Sequence, residues 1–249
     1  MRFEKKLPFR HVPNMVTCLN LYCGCLSVVF SFSGMLEMAA YFIVVAAVFD
    51  FFDGFTARWL HAYSDMGKEL DSLADVVSFG VAPASIVYAL LLPAANRYGL
   101  PIETYSSGWW VASAAFVIAV FSALRLAKFN VDTRQSESFI GLPTPANALF
   151  FCSLAFISSG SHSLATLANH LFFLLAVVGI FSYLLVSELP LFSLKFKSFD
   201  WKSNKIRYVF IVFSAIFLFI FHWAGFALVI LAYIMLSISK KLLDFCMDR

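Results

Sequence analysis

The chain has 249 residues, 61% of them hydrophobic and only 13% charged, with a formal net charge of +3. Soluble domains carry about 25% charged residues, so this composition excludes a water-soluble surface and points to an integral membrane protein. The length suits one domain over residues 1–249 and leaves no room for a separate soluble one.

The N-terminal stretch "MRFEKKLPFRHVPN" is basic, and an apolar run follows from Met15 to about Phe32. No small-x-small cleavage site comes after it, and "FSGMLEM" leads directly into another apolar run. It therefore reads as an uncleaved first span rather than a signal peptide. Further segments of spanning length lie near 36–60, 72–93, 108–128, 145–160, 168–188, 206–221 and 224–240, the fifth and seventh short. They lack the alternation, over about ten residues, of an outer-membrane barrel strand. The expected fold is all-α, a polytopic membrane bundle of about eight transmembrane helices.

Eight spans put both termini on one side. Arg2, Lys5, Lys6 and Arg10 precede span 1, and Arg58 and Lys68 lie between spans 2 and 3. Arg125, Lys128 and Arg134 sit at or beyond the end of span 4. Lys195, Lys197, Lys202, Lys205 and Arg207 separate spans 6 and 7, while Lys240, Lys241 and Arg249 follow span 8. Only Arg97 falls on the other side, so 17 of the 18 Lys and Arg share a face. By the positive-inside rule that face is cytoplasmic. The basic, aromatic "KFKSFDWKSNKIR" reads as a juxtamembrane loop on anionic headgroups rather than a nucleic-acid site. The five cysteines and five histidines show no metal-ligand spacing and read as packing residues.

One stretch departs from the apolar background: "FDFFDGFTARWLHAYSDMGKELDSLADVVSFG", residues 49–80. Asp50 and Asp53 are three apart near the end of span 2, and Asp71 and Asp75 four apart at the start of span 3. Each pair shares a helix face. The intervening "HAYSDMG" can turn the chain back, bringing the two pairs together from antiparallel helices. Four close carboxylates repel one another and are costly to desolvate. Divalent cations relieve both costs, and an all-oxygen ligand set favours Mg²⁺, Mn²⁺ or Ca²⁺ over Zn²⁺. Gly54, Ala57 and Gly67 would let a ligand approach the backbones, and Arg58 offers a fork for phosphate oxygens. Together these suggest phosphoryl chemistry on a bulky anionic substrate at the membrane surface. Two other readings compete: aspartates that merely cap helix ends, and a cation or proton pathway. The first explains one or two aspartates but not four paired ones. The second lacks a matching acidic residue near the middle of any other span; Glu188 lies at the cytoplasmic end of span 6.

The pattern Asp50-x2-Asp53-Gly54-x2-Ala57-Arg58-x8-Gly67-x3-Asp71-x3-Asp75 resembles, at every position, the signature of the CDP-alcohol phosphotransferase family. "LPFRHVPNMVTCLNLYCG", "LDSLADVVSFGVAPA", "ALRLAKFNV" and "FIGLPTPANA" resemble segments of its bacterial and archaeal phosphatidylserine-forming branch, so the likeness covers roughly residues 8–150. The resemblance implies a six-helix catalytic core over 1–188, with 189–249 adding the basic loop and a C-terminal helix pair. It implies transfer of the phosphatidyl group from CDP-diacylglycerol to L-serine with release of CMP. It also implies a homodimer in the membrane lipids of a prokaryotic cytoplasmic membrane, with the site facing the cytoplasm. Carried over by position, Asp50, Asp53 and Asp71 ligate metal, with two Mg²⁺ or Mn²⁺ ions expected. Asp75 is the general base and can also touch a metal; Gly54, Ala57, Arg58 and Gly67 line the CDP site.

Asn14, Thr17 and Asn20 form a polar line on span 1 that faces either the nucleotide or neighbouring helices. For serine, Arg125 and Lys128 share a helix face that can clamp the carboxylate, with Asn130 just beyond. Ser78, one turn after Asp75, is a further acceptor-pocket candidate. The alternative acceptors, glycerol 3-phosphate or an inositol phosphate, would call for more cationic residues around the pocket.

Overall fold

The computed structural model describes residues 11–131, 139–160, 163–191 and 201–247. The basic residues at 2–10, Arg134, Lys195, Lys197 and Arg249 lie outside them. Helix α1 spans Val12–Phe32 and α2 spans Leu36–Trp59. Helix α3 runs unbroken through Asp65–Arg97, and α4 through Ser107–Val131. Then come α5 (Thr144–Ser158), the short α6 (Ser163–Ala168) and α7 (Leu171–Val186). Helices α8 (Trp201–Phe221) and α9 (Gly225–Met247) close the chain as a hairpin. Among the described residues the only strands are β1 (Phe139–Ile140) and β2 (Pro190–Leu191), an antiparallel pair. The chain is thus a polytopic membrane helix bundle, and every expected span is a helix.

Two details depart from the sequence reading. The third span's helix starts at Asp65, not near residue 72, because Ser64 caps it: its Oγ accepts from the Gly67 N–H at 3.0 Å. The seventh span is not short, beginning at Trp201, whereas α7, the sixth span, has 16 residues.

Local chemistry sets the turns. Helix α1 opens on Pro13 in its first turn, where a missing N–H costs nothing. It ends in a Schellman motif with Gly34 at φ +77°, Gly34 N–H donating to Ser31 O and Met35 N–H to Phe30 O. Helix α2 ends the same way on His61, at φ +49°. There His61 N–H donates to Arg58 O and Ala62 N–H to Ala57 O. Both turns fold consecutive helices back as antiparallel neighbours.

Helix α3 is the most enclosed of the long spans. It contains a π turn over Val77–Val81, where Ala82 N–H reaches Val77 O. Pro83 follows directly; it has no N–H and its ring crowds the carbonyl four residues back, so the helix widens locally. The buried face of α2 is made of Ala39, Ala40, Ile43 and Ala46, small enough for backbones to approach closely. Outward faces are apolar, with Phe51, Trp59, Val120 and Phe219 more than half exposed, which suits lipid and not water. The α8–α9 hairpin docks through Trp223, whose ring stacks on Phe156 at 5.2 Å and meets Tyr41 edge-on at 5.0 Å.

Candidate active site

The start of α1, the end of α2 and the start of α3 converge at one end of the bundle, because only five residues separate α2 from α3. Asp50 and Asp53 face Asp71 across this hairpin, and one carboxylate oxygen of each lies within 4.8 Å of the others. Asp53 Oδ2 and Asp71 Oδ1 are buried with no hydrogen-bond partner among the described residues. Unpaired buried acceptors are costly, and clustered like charges more so. The three residues therefore fit a divalent cation, and their all-oxygen chemistry suits a hard one. Asp75 lies one turn beyond Asp71, buried, with its Oδ1 accepting from Asn20 Nδ2 at 3.3 Å.

Beside the carboxylates opens a cavity of about 690 Å³. Asp53 and Asp71 reach it, as do all six residues expected to hold the nucleotide: Asn14, Thr17, Gly54, Ala57, Arg58 and Gly67. The two glycines do different work. A Cβ on Gly54 would meet nothing within 4 Å, so the α2 backbone lies open there. One on Gly67 would come within 3.0 Å of Ser64 Oγ and 3.1 Å of Asn14 Oδ1, so this glycine admits α1 and the helix cap as well. Arg58 is exposed on the cavity rim without an ion pair among the described residues. Thr17 lines the cavity while its hydroxyl donates back to Pro13 O at 3.1 Å. Lys68 and Tyr63 also line it, outside the expected set. Lys68 is visible in the sequence as a cation directly after Gly67, whereas nothing local marks Tyr63.

The four residues expected around serine are spread over separate contacts. Arg125 is buried and donates from Nε to Leu142 O at 2.6 Å, its guanidinium 5.5 Å from the Phe129 ring centre. Lys128 lies 3.6 Å from Glu188, beyond the end of α7. Asn130 Nδ2 donates to Ser72 Oγ at 2.9 Å, and its carbonyl accepts from Lys68 Nζ at 3.4 Å. Ser78 is buried and donates to Asn20 O at 3.0 Å. Arg125 and Lys128 thus brace the end of α4 against the strap 139–143 and the end of α7, while Asn130 ties α4 to α3.

Gly141 makes that strap possible. At φ +78° its N–H donates to Leu189 O, and a Cβ would stand 2.6 Å from Leu185 O. Its role depends on the distant end of α7, which no local pattern reveals. The same holds for Gly24, where a Cβ would come 2.4 Å from Ser78 Oγ on the neighbouring helix. Cys18, Cys23, Cys25 and Cys152 are all free thiols, and none belongs to the carboxylate cluster.

The CDP-alcohol phosphatidyltransferase family model matches residues 10–182, a stretch holding the whole carboxylate cluster and its cavity. Among curated proteins, CDP-diacylglycerol–serine O-phosphatidyltransferase of Helicobacter pylori is 33% identical over 212 residues, covering 84% of this chain and 83% of that protein. The Bacillus subtilis protein of the same name is 37% identical over 146 residues, 59% of this chain and 76% of its own. Archaetidylserine synthase of Methanothermobacter thermautotrophicus is 34% identical over 158 residues, 61% of each chain. Because the family model spans well over half of the sequence and carries the carboxylate motif with it, the chain belongs to the CDP-alcohol phosphatidyltransferase family.

Proposed function

We propose that this protein transfers the phosphatidyl group of CDP-diacylglycerol to the hydroxyl of L-serine, releasing CMP. The observation that carries the reading is the carboxylate cluster opening onto a cavity lined by Arg58 and Lys68 at one end of the bundle. The choice of serine is supported by two bacterial relatives whose names specify it. An anionic pyrophosphate suits those cations and the open backbone at Gly54. Asp50, Asp53 and Asp71, with Asp75 beside them, hold Mg²⁺ or Mn²⁺, two ions being expected and Ca²⁺ also compatible. When bound, the metal neutralises phosphate charge and the departing CMP.

The residues divide the remaining work. Gly54, Ala57, Gly67, Asn14 and Thr17 shape the nucleotide pocket, and Arg58 engages phosphate oxygens. Asp75 accepts the proton of the serine hydroxyl as its oxygen bonds to phosphorus and the bond from phosphorus to the CMP oxygen breaks. Arg125 and Lys128 attract the serine carboxylate, while Asn130 and Ser78 hold the surrounding helices. The site faces the cytoplasm of a prokaryotic cell, where CDP-diacylglycerol in the membrane and free serine meet. The active unit is a homodimer over the single 1–249 domain, with α8 and α9 appended to a 1–188 catalytic core.

The test is CMP release by the purified protein in mixed micelles with CDP-diacylglycerol, Mg²⁺ or Mn²⁺ and a panel of alcohols. Release with serine alone supports the reading. Release with glycerol 3-phosphate or an inositol phosphate instead refutes the choice of acceptor. No release with any alcohol, together with cation flux in liposomes, would replace the enzyme by a transporter.

A further inference from the structure

Helix α1 meets α3 at a point outside the cavity. Asn20 is fully buried and touches α3 twice. Its Nδ2 donates to Asp75 Oδ1 at 3.3 Å, and its backbone carbonyl accepts the Ser78 hydroxyl at 3.0 Å. The helices approach this closely because Gly24 stands one turn further along α1: a Cβ there would lie 2.8 Å from Ser78 Cα, with no room to move backbone aside. The amide is oriented by the carboxylate it serves. With Nδ2 turned to Asp75, Oδ1 is left buried without a donor among the described residues. That loss disfavours the orientation unless donation to Asp75 outweighs it.

Asp75 needs such a partner. It follows Asp71 by one helical turn in a site already crowded with carboxylates, and repulsion among them sets no single direction for its side chain. A proton acceptor must be held to within a fraction of an ångström of the hydroxyl it serves. A neutral donor from a neighbouring helix supplies that direction without adding charge.

We propose that Asn20 is a positioning residue for Asp75, kept in register by Gly24 and Ser78, and that it acts without touching substrate. The inference rests on Asp75 being the proton acceptor, and it does not depend on which alcohol is used.

The experiment compares full-length wild type with Asn20→Leu, which keeps the branched shape and removes the amide, and Asn20→Gln, which keeps a donor on a longer arm. CMP release is followed with whichever alcohol the wild type accepts. For Asn20→Leu, kcat should fall about 10- to 100-fold while KM for CDP-diacylglycerol and half-saturating Mn²⁺ stay within about threefold. The thermal midpoint in detergent should fall by no more than a few degrees, leaving the protein folded at the assay temperature, because Asp75 Oδ1 loses its donor while the unpaired amide oxygen is removed as well. Asn20→Gln should recover part of the rate. Unchanged kcat, a parallel rise in half-saturating Mn²⁺, or Asn20→Gln no better than Asn20→Leu would overturn the proposal. If Asn20→Leu does not fold, Ser78→Ala carries the test: a lower kcat at unchanged KM supports it, and an unchanged kcat sinks it. If the wild type releases CMP only with an alcohol other than serine, the proposed acceptor fails while the Asn20 comparison proceeds with that alcohol.

Discussion

Two glycines one substitution away from alanine should respond in opposite ways. Gly54 lies in the last third of α2, where a new Cβ meets no atom within 4 Å. Inside a helix, alanine is more favourable than glycine by about 1 kcal/mol. Gly54→Ala should therefore raise the thermal midpoint in detergent, by about 2–4 °C for a chain of this size. The open space it fills is the wall of the cavity proposed to take CDP. Overfilling a well-matched contact costs about 1–3 kcal/mol, so KM for CDP-diacylglycerol should rise about 5- to 150-fold, at about 1.4 kcal/mol for each factor of ten. Gly24→Ala is the opposite case, since its Cβ would come 2.4 Å from Ser78 Oγ. It should lower the midpoint despite the gain in helix propensity. Differential scanning fluorimetry with CMP-release kinetics reads both. A Gly54→Ala protein that is more stable yet binds CDP-diacylglycerol as well as wild type would refute the assignment of this cavity. One that is less stable would refute the open geometry itself.

Other outcomes test separate parts of the site. Asp53→Asn and Asp71→Asn each remove one of the clustered oxygens, so half-saturating Mg²⁺ in the CMP-release assay should rise by at least about tenfold. Asp75→Asn should abolish turnover while CDP-diacylglycerol and metal still bind; loss of metal binding would make Asp75 chiefly a ligand. Arg125→Leu leaves Leu142 O without its donor, a loss of about 1–3 kcal/mol that fluorimetry would register as a lower midpoint. Trp223→Ala deletes the stack on Phe156 and the edge contact with Tyr41, worth about 0.5–1.5 kcal/mol each. Limited proteolysis should then cut more readily between α7 and α8, with turnover per intact molecule unchanged.

Much of this protein is legible in its linear pattern. Spanning helices are written in local composition, because the bilayer demands about 20 apolar residues in succession and backbone hydrogen bonds satisfied within each segment. Asp50, Asp53, Asp71 and Asp75 can be paired from their positions in the chain, since helical spacing and a short link dictate which carboxylates meet. The cavity residues Gly54, Ala57, Arg58 and Gly67 follow from the same pattern, and all four line the cavity.

Tertiary structure decided the contacts between helices distant in sequence. Asn14, Thr17 and Asn20 look equivalent on α1, yet the first two face the cavity while Asn20 turns to Asp75. Arg125 and Lys128 share a helix face in the linear pattern, but only the packed bundle shows that Arg125 is buried on Leu142 O while Lys128 lies beside Glu188. Gly24 and Gly141 carry no local signal, because the Ser78 side chain and the Leu185 carbonyl that exclude a Cβ there come from elsewhere in the chain. The reason is physical. Helix formation in a membrane is governed by neighbours in sequence and by the lipid, whereas a polar side chain's partner is set by which helix packs beside it and at what rotation.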